Sequence, residues 1–146
     1  MQVELIKATR LKDLKFIAIQ LLLIVTFGLA SLFKWTASEI PADFIVQFGN
    51  TWLNLLPGGL FFPFYAVATL ETTAFVLFII SISKTEWLAI SNKIYLKLGL
   101  ILTLFIFVVL SYGLRLTEQL SETANVFIYF GVVLFALYLA ENESAD

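Results

Sequence analysis

Three stretches of this 146-residue chain carry no charged side chain over the length of a membrane span: Phe16 to Phe33, Leu98 to Leu114 and Thr123 to Ala140. A helix rises about 1.5 Å per residue and the hydrocarbon layer of a bilayer is about 30 Å thick, so about 20 apolar residues cross it. Each run reaches that length with a few flanking residues. Only a structure that satisfies its own backbone groups tolerates such surroundings, and the helix is the simplest one.

A fourth apolar run, Thr72 to Ser83, is too short to cross alone. It spans only if its helix starts near Leu60, just after Pro57-Gly58-Gly59. Pro63 then falls in the first turn, where its missing N–H does no harm. The extension puts Glu71 at the centre of the span. The sequence therefore predicts an all-α, four-helix transmembrane bundle occupying the chain as one membrane domain. Its spans are expected at about 14–33, 60–83, 94–114 and 123–140, with a loop over 34–59.

Composition agrees. Hydrophobic residues make up 60% of the chain and charged residues 14%. A small soluble domain has too much surface to hide that excess, which excludes a soluble globular enzyme and a disordered chain. The net charge of −2 offers no field for nucleic acid. Cysteine and histidine are both absent. The chain thus lacks thiol chemistry, Fe–S ligation, the commonest haem and zinc ligand, and the usual acid–base switch. No phosphate-cradling, metal-binding or nucleophile motif is present, so an activity residing in this chain alone is not expected.

Seven of the nine basic residues flank one side of the expected bundle: Lys7, Arg10, Lys12, Lys15, Lys84, Lys93 and Lys97. Lys34 and Arg115 flank the other. The positive-inside rule then places both termini in the cytoplasm. The sequon Asn142-Glu143-Ser144 would face the same side and carry no glycan. The first apolar run is longer than the core of a secretory leader and its charged lead is long, which argues for a retained span.

In the 34–59 loop, Ser38 is a candidate cap, Pro41 a helix start and Asp43 a favourable first-turn acid. Phe44, Phe48 and Trp52 recur on one face. Two readings stay open: an interfacial helix with its aromatics at headgroup level, or a lid or re-entrant segment over the bundle mouth. A fifth span within 44–70 is a further alternative, with Pro57-Gly58-Gly59 as its hairpin turn.

Glu71 is the residue that asks for a function. An ionised side chain at mid-membrane costs a few kcal/mol, so it needs a proton, a cation or donors, and intramembrane acids usually serve function. Counting from the helix ends puts Thr26 and Thr103 at similar depth and Tyr129 slightly further out. Lys34 and Arg115 lie at the outer ends, expected to reach inward only partly. The competing reading is a carboxyl that merely pins helix register by a cross-helix hydrogen bond. Gly28, Ala30, Ser31, Gly99 and Thr103 are read as residues that let helices approach closely.

The sequence resembles the DoxX-like family of small bacterial membrane proteins. The matching patches are Phe27-Gly28-Leu29-Ala30-Ser31-Leu32-Phe33-Lys34, then Pro41-Ala42-Asp43-Phe44, then Ala68-Thr69-Leu70-Glu71-Thr72-Thr73-Ala74. In layout the resemblance covers most of 14–140. It implies a four-helix fold in a bacterial inner membrane and an association with redox or quinone-linked systems, thiosulfate oxidation among them. The family's lysine follows its glycine by about three residues; Ser31 stands there in this chain, and Lys34 comes a turn later. The resemblance implies an accessory or anchor subunit, with a quinone or a redox enzyme as partner. A proton-linked transporter or channel using Glu71, and an assembly protein, are the alternatives.

Overall fold

A computed structural model describes residues 2–88 and 90–143, with side chains from Asp13 onward. The last residue of the sequon and the final acid of the tail lie outside the described residues. Among the described residues five α-helices follow one another: α1 Gln2–Thr36, α2 Ala42–Phe48, α3 Phe61–Ser83, α4 Ile94–Leu116 and α5 Leu120–Asn142. A short 3-10 turn, Trp52–Leu55, stands between α2 and α3. No strand occurs among the described residues. Among the described residues four helices are long and apolar enough to cross a membrane: Asp13–Thr36 within α1, then α3, α4 and α5. The protein is an all-α, multi-pass membrane bundle.

The helices stand in chain order, α1 against α3, α3 against α4, and α4 against α5. Short connections force the last three into antiparallel neighbours. Buried residues recur every three or four positions, as at Phe64, Ala68, Glu71, Ala74, Phe78 and Ser81 of α3, so each helix turns one stripe inward and the rest toward lipid. Two glycines face aromatic rings across these contacts. A Cβ on Gly28 would sit 2.9 Å from the ring of Phe75, and one on Gly99 2.7 Å from that of Phe78. Each ring fills the hole its glycine leaves, so these two glycines make room for a side chain of a neighbouring helix.

Helix α1 begins well before the apolar run. No proline or glycine interrupts the chain before Gly28, so the charged lead continues the helix instead of ending it. At its other end α1 stops at Thr36. Pro41 is the N-cap of α2 and no side chain caps that helix, so Ser38 does not have the capping role expected of it.

The 34–59 loop contains no fifth span. Its helix α2 is seven residues long. Phe48 is buried, tilted against Phe44 at 4.6 Å, and Phe44 meets Phe64 of α3 edge-on at 5.3 Å. With Ile40 and Leu60 they form a small core of their own. The aromatic face of α2 is therefore seated on the bundle, and Ile45 and Val46 are the residues turned outward. Trp52 lies beyond the helix in the 3-10 turn, where its Nε1 donates to the Tyr112 hydroxyl at 2.9 Å. The turn into α3 needs positive φ at two successive positions, 84° at Gly58 and 59° at Gly59, which glycine adopts without strain.

Candidate functional site: an ion pair at the middle of α3

Glu71 lies about 15 Å from the start of α3 and about 18 Å from its end, at 1.5 Å per residue. It is 5% exposed. The Lys34 ammonium reaches it, donating to Oε2 at 2.8 Å and to Oε1 at 3.1 Å. Lys34 is only two residues from the end of α1, yet it meets the middle of α3, because α1 ends far short of the level at which α3 begins. The segment 37–60 makes up that height. The ends of the two helices are out of step, and this offset turns a terminal lysine into an intramembrane one.

Neighbouring side chains fix the pair. Trp35 Nε1 donates to Thr72 Oγ1 at 2.8 Å, so successive residues of α1 bond successive residues of α3. The Trp35 ring lies 5.4 Å from Tyr65, and Tyr65 stacks on Phe61 at 6.2 Å. The Thr72 hydroxyl donates to the Ala68 carbonyl, leaving its oxygen free to accept from Trp35. The Lys34 side chain is 20% exposed and that of Glu71 only 6%. The ammonium is thus the part of the pair that can be approached. It spends its two described bonds on one carboxylate, and an ammonium has three N–H groups.

The other depth-matched residues do not join this site. Thr26 is exposed and its hydroxyl donates to the Leu22 carbonyl of its own helix. It is adjacent to buried Phe27, and one residue rotates a helix by about 100°, so equal depth did not mean equal face. Tyr129 is 55% exposed on α5, with its ring 6.3 Å from Phe107. Thr103 is fully buried, and its hydroxyl donates to the Gly99 carbonyl at 2.8 Å. Arg115 is exposed at the end of α4. Of the candidates, Glu71 and Lys34 form the site.

A second polar cluster lies at the opposite end of the α1–α3 seam. Gln20 Nε2 donates to Ser81 Oγ at 2.7 Å, and Ser81 Oγ donates to Glu86 Oε2 at 2.9 Å. The Glu86 carboxylate also accepts the backbone N–H groups of Tyr95 and Leu96, at 3.1 and 2.7 Å. Those are first-turn donors of α4, and the side chain of its own N-cap residue, Lys93, caps neither. A remote carboxylate therefore supplies the cap and the negative charge that a helix start favours. Lys93 is fully buried at positive φ, 47°, and its ammonium donates to the Leu88 carbonyl at 3.0 Å over the ring of Phe16. Desolvation lowers the pKa of Lys93, against the upward pull of Asp13 and Glu143. Lys15 pairs with Glu143 and ties α1 to the end of α5.

Between the two clusters the seam is apolar: Ala74 and Phe78 are fully buried, and Phe27 stacks on Phe78 at 6.4 Å. Glu71 and Ser81 are about 15 Å apart along α3, with these apolar side chains between them. No group of acids able to hold a metal occurs among the described residues.

Compared with protein-family models, with curated proteins and with solved structures, the chain matches none.

Proposed function

We propose that the protein is an accessory component of a membrane redox system, DoxX-like in design, that anchors a catalytic partner or holds a quinone at the Lys34–Glu71 pair. The observation that carries this reading is the pair itself. A buried ion pair is weak evidence for stability, because desolvating both charges offsets most of their attraction. In a membrane span such a pair points to use. The absence of Cys and His makes a redox centre of its own implausible, so electrons would pass through the partner. A quinone fits the residues present: Lys34 has a donor to spare for a ring carbonyl, and Trp35 and Tyr65 provide flat apolar surface beside it. The group would supply electron carriage; Lys34 and Glu71 would bind and orient it.

In this reading the membrane is a bacterial inner membrane with both termini cytoplasmic, supported by the seven-to-two division of basic residues. The test is purification in mild detergent. A copurifying larger subunit or an extractable quinone, with the quinone lost in Lys34→Met, is the expected result. A lone, quinone-free protein from native membranes would overturn it. A proton-linked transporter is the second reading, supported by the carboxylate at mid-span. The apolar stretch from Ala74 to Phe78 weighs against a continuous path. Proton flux in proteoliposomes that Glu71→Gln abolishes would favour it.

A further inference from the structure

One atom in the α1–α3 seam is out of balance. Gln20 is fully buried, and its Nε2 is spent on Ser81. Its Oε1 is buried as well and has no hydrogen-bond partner among the described residues. Turning the amide over would give Ser81 the oxygen and leave the nitrogen alone instead, so either orientation leaves one polar atom unpaired. A buried polar group without a partner costs stability. A leucine would fill similar space without that cost, so the amide at this position asks for a use.

The surroundings supply one. The buried stripe of α1 runs Gln20, Leu23, Phe27, Ser31, with Lys34 one turn further on. That of α3 runs Ser81, Phe78, Ala74, Glu71. Polar groups stand at both ends, and the stacked rings of Phe27 and Phe78 close the middle. Hydrophobic constrictions of this kind shut pores by excluding water. Beyond the rings, toward Glu71, stand two buried hydroxyls, Ser31 on α1 and Thr103 on α4. Each donates to a carbonyl of its own helix, and a hydroxyl that donates can still accept. Thr103 lies four residues past Gly99, the glycine that faces Phe78, about 6 Å along α4. Glu86, Ser81 and Gln20 on one side of the rings, and Thr103, Ser31 and Glu71 on the other, make a row of polar groups with one dry interval.

We propose that the α1–α3 seam is a proton path gated by Phe27 and Phe78, with Gln20 as the group that bonds the first water admitted when the rings part. The inference rests on the proton-linked reading of Glu71. A proton enters at the Glu86 carboxylate, crosses along water held by Gln20, Thr103 and Ser31, and passes to Glu71. One leaves from the Lys34–Glu71 pair for each that enters, so the charge balances and no redox partner is needed.

Proteoliposomes holding the full chain, loaded with pyranine and given a potassium diffusion potential by valinomycin, report the flux. Phe78→Ala should raise it at least tenfold over the parent protein, and the milder Phe78→Leu several-fold. Gln20→Leu or Glu71→Gln, added to Phe78→Ala, should return the flux to the parent level although the hole left by the ring remains. Gel filtration in detergent checks that each variant is folded, and Phe78→Leu carries the test if Phe78→Ala is not. Parent-level flux in the folded Phe78 variants would overturn the gate. Raised flux that survives Gln20→Leu would overturn it too, as leak through a damaged bundle. Raised flux that ignores Glu71→Gln would overturn the proton-linked reading and this inference with it. Parent flux that depends on Glu71 but not on Phe78 would overturn the gate alone.

Discussion

The Lys34 ammonium bonds both carboxylate oxygens of Glu71, at 2.8 and 3.1 Å, joining the end of α1 to the middle of α3. Neither charge has another charged partner in the site, so the two stand or fall together. Removing one leaves the other desolvated, at a cost of about 3–5 kcal/mol for a buried pair. Removing both leaves no orphan. Glu71→Leu and Lys34→Met should each lower stability strongly in a detergent unfolding titration, and the double variant by much less than their sum. Additive losses would mean that the charges are screened and the pair is incidental.

The acid of this site was legible in the sequence and its partner was not. The run from Thr72 to Ser83 is too short to span, and that alone forced Glu71 to mid-helix. Depth counting then failed for Lys34 because it assumes that neighbouring helices end at one level. The 37–60 segment breaks that assumption by climbing from the middle of α3 to its start. Depth counting failed differently for Thr26 and Tyr129, since it carries no information about which face a residue occupies. The spans themselves were readable to within a few residues, because hydrocarbon thickness fixes their length. Only the start of α1 departs, where helix continues into the charged lead.

The Glu86 cap lies beyond what sequence reasoning could find, because Glu86 sits in a connection and its partners begin nine residues later. Its carboxylate accepts three hydrogen bonds, from Ser81, Tyr95 and Leu96. Glu86→Ala should destabilise the protein by about 1–3 kcal/mol, the range for leaving buried donors unpaired. The amide protons of Tyr95 and Leu96 should then exchange with solvent markedly faster, while those at the middle of α4 keep their protection. Unchanged exchange at these two amides would show that water or another group replaces the cap.

Two glycines make a matched pair for testing helix packing. Gly99 faces Phe78, which is fully buried and stacked on Phe27, so the ring has little room to retreat. Gly131 on α5 has nothing within 4 Å of where a Cβ would stand. Gly99→Ala should destabilise by about 1–3 kcal/mol through overpacking. Gly131→Ala should stabilise by about 0.5–1 kcal/mol, by removing a backbone-entropy penalty. Unfolding midpoints moving in opposite directions are the expected outcome. A loss at Gly131 as large as at Gly99 would mean that α5 packs closely against something at that position.

Lys93 makes stability depend on pH, and the direction follows from its burial. Its ammonium is held by carbonyls in a fully buried position, with desolvation outweighing the attraction of Asp13, Glu143 and Glu86 and adding to the repulsion of Lys97. The pKa in the fold is therefore below the unfolded value of 10.5. Between those two values the unfolded chain holds a proton that the folded chain has released, so stability must rise with pH across that window. Below the folded value both states are protonated and the desolvation penalty is felt in full. The informative quantity is the difference between the parent protein and Lys93→Met, which isolates this one group. That difference should shift in favour of the parent as pH rises toward 10.5. A difference curve that stays flat up to that point would show that the buried ammonium is as well solvated by its carbonyls as by water.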